Sequence, residues 1–434
     1  MKVLLVFNNL SFGGAQRVLL DYLRVLKNYH SINVQVLTFS NGLKEVVDEV
    51  RLLGYNVIEL PCIQHLGAPY IKKELLVRLS HKLKDVDIVW VGDLSLNVHD
   101  FKCLLKKPTI VHLHSYWYIC PSFHMTFGLM RPCSGCSGLS VHIPYKLALC
   151  RALSAYTARK MTGVSTRAEQ ENPAFSSKNS TYYLNRLKEW TSAVPKQLAV
   201  ADGLIAVSQG LKDIYVKAVQ KLGPEITSQF IVLPNFTLIE NTNFKEQDDI
   251  EYHKRLRILY AGGSVLIKGP HVLLKALSLL SSEELDQLTV DIVRSRGTWI
   301  ENLAMRYSLL KYIRFYPQLA HHELLDLLRE SHVLIAPSIF PEPFSVLILE
   351  AQTLGIPVIA SRIGGNPEIV INKVTGLLVE PNNPRSLAEA IRFFLRDRNS
   401  VISMGYKAQT VMRHKFKPQE IVRRLVNFFE EQVN

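Results

Sequence analysis

The feature that most constrains this chain is an alternation of short apolar runs with helix-length segments, repeated twice along 434 residues. The first set comprises KVLLVF, INVQVLTF, NVIEL, DIVWVG, TIVHLH, GLIAVS and FIVLPN; the second comprises RLRILYAGG, LTVDIV, IRFYPQ, HVLIAPS, PVIAS and GLLVE. Continuous apolar runs such as KVLLVF suit strands buried on both faces, and strands alternating with helices build parallel doubly wound sheets. The helix after the first strand fits that scheme, with Val18, Leu19, Tyr22, Leu23 and Leu26 at helical spacing. A polar stretch at 240–254, rich in Asn, Asp and Glu, marks a linker between two halves. Two such halves leave a cleft between them, and ligands bind these sheets at the carboxyl ends of the strands.

Composition agrees with two full domains. Hydrophobic residues make up 47% of the chain and charged residues 21%, enough apolar content for two cores and too much for a disordered polymer. The longest uncharged run, 108–130, is interrupted by His112, His114, Pro121, Ser122 and His124 and does not read as a membrane span. KVLLVF is only strand-length before Asn8 and Asn9, unlike a secretion signal, so a soluble cytoplasmic protein is expected. The net charge of +13 is unevenly placed: 1–210 holds 24 Lys/Arg against 14 Asp/Glu, and between Asp100 and Glu169 there are nine basic residues and no acid. Such a field suits an anionic partner, either a phosphorylated lipid or sugar at the cytoplasmic membrane face or nucleic acid, or is simply a solvated basic surface. No nucleic-acid recognition motif accompanies it, which disfavours nucleic acid.

In the second half, the segment APSIFPEPFSVLILEAQTLGIPVIASRIGGNPEIV holds Glu342 and Glu350 on either side of a helix start. Glu342 precedes the helix, Glu350 is expected about two turns along it, and the free amides near Phe344, Ser345 and Val346 form a natural anion site. Carboxylates accept hydrogen bonds from diols while helix amides hold phosphate, so a nucleotide sugar fits this arrangement. The Pro337-Ser338 turn, the Glu-Pro-Phe entry, the Glu350-Ala351 pair, the Gly355-x-Pro357 break and the Gly364-Gly365-x-Pro367-Glu368 loop complete the pattern. Together they resemble the C-terminal signature of retaining GT-B glycosyltransferases, family four in particular.

The resemblance implies two Rossmann-like doubly wound domains around an interdomain cleft. It places an acceptor domain at 1–240 with a cysteine-containing insertion at about 118–200, a donor domain at 255–414, and a helix at 415–434 returning to the first domain. It assigns Glu342 to the transferred sugar and Glu350 to the ribose, and implies a nucleoside diphosphate sugar donor, a glycan or lipid-linked acceptor and no catalytic metal. Gly13 and Gly14 match the family's GGAER-like start, where backbone approaches a diphosphate; a simple tight turn is the other reading. Lys268, with Gly269, matches the family's KG, but Gly263 stands where the family usually carries a diphosphate-binding Arg. Arg294 or Arg296 is the expected substitute, since fixed positive charge helps a diphosphate leave. His114 matches the His of an HDYW-like motif near the transferred sugar, although Ser115 replaces its Asp; His112 is the second choice. The glycine at 263, and DIVRSRG where the family typically has a glycine-rich turn, keep open a noncatalytic nucleotide-sugar-binding subunit. An epimerase on the same architecture is a further alternative.

Cys120, Cys133, Cys136 and Cys150 are separated by 12, 2 and 13 residues and include a CxxC. Four thiols in a Gly-, Pro- and Ser-containing loop could hold structural zinc or an iron–sulfur cluster, or remain reduced or form a disulfide. Asp85-Val86-Asp87 has the DxD spacing of metal-dependent glycosyltransferases but reads here as a helix–strand connection.

Overall fold

The computed structural model describes residues 1–7, 14–39, 44–61, 63–65, 68–92, 97–116, 126–127, 131–132, 196–222, 226–239, 255–294 and 299–434. Gly13, Arg296 and the tetrad Cys120, Cys133, Cys136 and Cys150 lie outside the described residues, as do most of 118–200 and the linker at 240–254.

Each of the thirteen apolar runs becomes a strand. The first sheet contains β1 (Lys2–Phe7), β2 (Asn33–Phe39), β3 (Asn56–Leu60), β6 (Ile88–Gly92), β7 (Thr109–Leu113), β10 (Gly203–Ala206) and β11 (Gln229–Val232). The intervening hairpins are β4 (Ile63–His65) with β5 (Ala68–Tyr70), and β8 (Thr126–Phe127) with β9 (Arg131–Pro132). The seven strands run parallel in the order β11-β10-β7-β6-β1-β2-β3. The second sheet contains β12 (Leu256–Tyr260), β13 (Leu288–Val293), β14 (Ile313–Tyr316), β15 (Val333–Ala336), β16 (Val358–Ser361) and β17 (Gly376–Val379). It is also parallel, ordered β14-β13-β12-β15-β16-β17. Both orders reverse beside the first strand of their half, between β1 and β6 and between β12 and β15. Such reversals open crevices at the carboxyl ends of parallel strands.

One continuous apolar core joins the first sheet to the near side of the second domain, and a second core fills that domain's far side. The chain passes between domains again at its end. After the helix Asn399–Lys415, Phe416 packs edge-on against Phe344 with ring centroids 5.6 Å apart. The helix Pro418–Val433 then lies on the first domain, its Phe429 5.5 Å from Trp90 and its Arg424 donating to Val232 O at 2.9 Å.

Candidate functional site

The two crevices face each other across a cavity of about 450 Å³. Gly14, His114, Val207 and Asn235 line it from the first domain, and Lys268, Ser338, Glu342 and the segment Pro343–Leu347 from the second. Gly14 opens the helix α1 (Gly14–Leu26) directly after β1, and a side chain there would meet Val346 at 3.6 Å. The amino ends of α1 and of the helix Val346–Thr353 therefore stand close together across the cleft, where the first amides of a helix have no intrahelical acceptor.

Glu342 is held by a cradle that the local sequence explains. Lys268 ends the short 3₁₀ turn Leu266–Lys268 after β12, and Gly269 turns the chain with φ of 77°. A Cβ at Gly269 would lie 2.0 Å from Pro337 O, so glycine permits both the left-handed backbone and the close approach. Ile339 N–H donates to Ile267 O at 2.8 Å, pinning the loops after β12 and β15 together. Lys268 Nζ then reaches Glu342 Oε1 at 2.6 Å, and Ser338 Oγ donates to the same oxygen at 2.7 Å. Gly364, with φ of 60°, seats the glycine loop on this carboxylate's backbone: a Cβ would lie 2.3 Å from Glu342 O, to which Gly365 N–H donates at 2.7 Å. Glu342 is only 7% exposed, a buried carboxylate with its cation in contact.

The helix begins later than the sequence suggests. Ser345 is its cap, accepting from Ile348 N–H, and Val346 its first residue. Glu350 is therefore just over one turn in, a correction to the expected two, because the cap falls three residues after Glu342 and not beside it. Phe344 is buried, and Val346 stands where α1 begins. Glu350 is 3% exposed, and burial raises its carboxyl to about 7 against the opposing pull of Arg17. His321 Nε2 lies 2.8 Å from Glu350 Oε1, and Arg17, from α1, approaches the same oxygen at 3.7 Å. Nothing in the sequence motifs announced His321, and Arg17 is the last residue of the GGAQR run that begins at Gly13.

On the first-domain wall, β7 delivers two histidines. His114 lines the cavity, whereas His112 lies beneath it, its ring 4.3 Å from that of His114 and packed against Tyr22 and Trp90. Burial lowers His114 to about 3, so at neutral pH it is an uncharged hydrogen-bonding group and not a cation. Asn235, after β11, was not anticipated; it is 3% exposed and its Oδ1 has no hydrogen-bond partner among the described residues. Arg294 is directed elsewhere: it pairs with Glu301 at 2.7 Å and does not line the cavity. Gly263 has φ of 69° and its carbonyl accepts from Tyr260 Oη at 3.0 Å. The DxD carboxylate Asp87 accepts from Lys2 N–H at 2.7 Å, at the amino ends of β1 and β6 and hence opposite the cleft. No cluster of metal-ligating side chains occurs among the described residues.

Beyond the cavity, the domains meet through main-chain contacts. Ser208 Oγ donates to Pro343 O at 2.6 Å, and the Glu368 carboxylate accepts from Gln209 and Gly210 N–H at 2.9 and 2.8 Å. Glu368 thus caps the helix Gln209–Leu222 of the opposite domain.

Two parallel doubly wound domains facing each other across such a cleft constitute the GT-B architecture. Solved structures of this fold superpose along nearly the whole chain: HepE of Anabaena in complex with UDP has a TM-score of 0.66 at 18% identity, covering 99% of this chain and 100% of that one. A glycosyltransferase from Rickettsia africae gives 0.67 at 17% identity, covering 100% and 98%. Residues 241–411, most of the second domain, match the family model of glycosyl transferases group 1. Among curated proteins, the D-inositol 3-phosphate glycosyltransferase of Streptomyces avermitilis is 32% identical over 160 residues, 35% of this chain and 34% of that protein. The glycogen synthase of Mycobacterium tuberculosis is 36% identical over 141 residues, 32% and 34% of the two chains. The chain thus spans about a third of the length of these relatives.

Proposed function

We propose that this protein is a retaining glycosyltransferase, moving a hexosyl unit from a nucleoside diphosphate sugar to an acceptor hydroxyl in glycan, glycolipid or polysaccharide synthesis. One observation carries this reading: Glu342 lines the cavity just before a helix and Glu350 is buried just over one turn into it, with Lys268 against the first and the facing amino end of α1 across the cleft. Helix amides and Lys268 suit a diphosphate, Glu350 the ribose diol, and Glu342 the sugar hydroxyls. HepE, which has the same fold, was solved with UDP, which supports a nucleotide as the first ligand to try. His114, being neutral, serves as a hydrogen-bond partner for the sugar.

In the reaction, the bond between the sugar's anomeric carbon and the diphosphate oxygen breaks, and the acceptor oxygen bonds to that carbon on the same face. The acceptor's proton passes to the departing phosphate oxygen, while Lys268 and the helix amides stabilise the charge that develops. This route uses no metal, and turnover should persist in EDTA. The cysteine tetrad remains a proposed structural zinc or iron–sulfur site, and less than stoichiometric zinc and iron in purified protein would count against it.

Titration with UDP-, GDP- and ADP-sugars tests the reading. It requires saturable binding of one of them, accompanied by transfer or slow donor hydrolysis; binding to none overturns it. Binding without turnover would favour the noncatalytic alternative, which the glycine at 263 supports. No helix among the described residues is long and apolar enough to cross a membrane. The basic first half supports peripheral attachment at the cytoplasmic membrane face, and flotation with anionic vesicles at low and high salt would test that attachment.

A further inference from the structure

The pairing of Arg17 with Glu350 crosses from one domain to the other. Gly14 stands opposite Val346, and one turn further along each helix Arg17 stands opposite Glu350. On its third side Glu350 meets His321, which opens the helix His321–Arg329 of its own domain. Both partners engage Oε1. A carboxylate held by one oxygen has its second oxygen aimed in a fixed direction, available to a diol. The Arg17 side chain is 28% exposed and that of Glu350 4%, so one end of the pair is shielded from water and the interaction is weakly screened.

We propose that Arg17 is a positioning residue for the donor: supplied by the first domain, it clamps Glu350 through one oxygen and so aligns the other for the ribose hydroxyls. The clamp exists only while the domains are together, and the ribose contact is therefore strong in the closed form and weak in the open one. The first domain then strengthens the ribose contact through a residue that does not itself touch the nucleotide. This inference rests on the glycosyltransferase reading above.

The test compares wild type, Arg17→Ala and Arg17→Lys by titration with whichever of UDP, GDP and ADP binds wild type, and with its 2′,3′-dideoxy analogue. Arg17→Ala should weaken the ribonucleotide roughly tenfold, the scale of one charge-assisted contact, while leaving the dideoxy analogue unchanged. Arg17→Lys should recover part of the loss. Equal weakening of both nucleotides, or of neither, overturns the inference while leaving the assigned function intact. Failure of wild type to bind any of the three overturns both.

Discussion

The Glu368 carboxylate accepts the N–H of Gly210 at 2.8 Å across the domain boundary, so a residue of the second domain finishes a helix of the first. The neighbouring backbone leaves no room for a side chain at Gly210, where a Cβ would lie 2.7 Å from Gly364 O. Replacing Glu368 with Gln should keep part of the cap, and Ala should remove it. Loss of a cap costs about 1 kcal/mol, and Glu368→Ala should lower the thermal midpoint and raise the donor KM together. An unchanged KM would show that the contact stabilises the fold without governing closure.

Glu342→Gln keeps the shape of the side chain but removes the charge that meets Lys268. Removing one well-placed group from such a site costs roughly a hundredfold or more in turnover. We expect that loss in transfer rate, with nucleotide affinity within a few-fold of wild type. Full transfer by Glu342→Gln would remove this residue from the sugar site.

Donor binding should depend on pH through Glu350. Its carboxyl titrates at about 7, and in the ionised form the oxygen not held by Arg17 and His321 is free to accept from a diol. Affinity for the donor should rise with pH through about 7 and then level off. In Glu350→Gln this step should vanish and affinity should be low throughout; a step that persists belongs to another group.

Stability should respond to acid chiefly through buried histidines. Burial holds His112 well below the ordinary histidine value, His114 at about 3, and His271 and His332 at about 4. Below about 6.5 the unfolded chain protonates these rings while the folded protein does not, so stability falls as pH drops from there towards 4. Glu350 and Asp21, the latter raised to about 6, act in the opposite direction. The fold keeps their protons between about pH 4 and 7, and their contribution fades as pH rises through that window. Four rings outweigh two carboxyls, so the urea midpoint should be lower at pH 5 than at pH 7. His271→Leu should reduce the difference, and an equal midpoint at both pH values would contradict the balance.

Gly364→Ala tests the seat beneath Glu342. A methyl group would both strain the left-handed backbone and press on Glu342 O. A cost of about 1–3 kcal/mol is expected, together with a fall in kcat from displacement of the carboxylate. Gly54→Ala is the control: its φ is also positive, at 92°, but no atom lies within 4 Å of the added carbon. It should cost stability without touching turnover.

Much of this was legible in the sequence because burial on both faces makes parallel strands into continuous apolar runs, as in VLLVF of β1. The Glu342 cradle was legible for another reason: Gly269 and Gly364 are glycines because backbone passes close by, and such positions punctuate a sequence visibly. Ser345 before Val-Leu-Ile carried the signal for the later helix start. The clasp on Glu350 was hidden, since Arg17 and His321 come from distant segments and neither has a local pattern that announces a partner. Arg294 illustrates the converse, a plausible cation by position whose charge goes to Glu301.

The return of Pro418–Val433 to the first domain has a mechanical consequence. The chain crosses between the lobes twice, once through 240–254 and once through Phe416 and Lys417, so two covalent connections limit how far the lobes can part. A protease cut in the first connection would leave the halves associated, with the terminal helix acting as a tether.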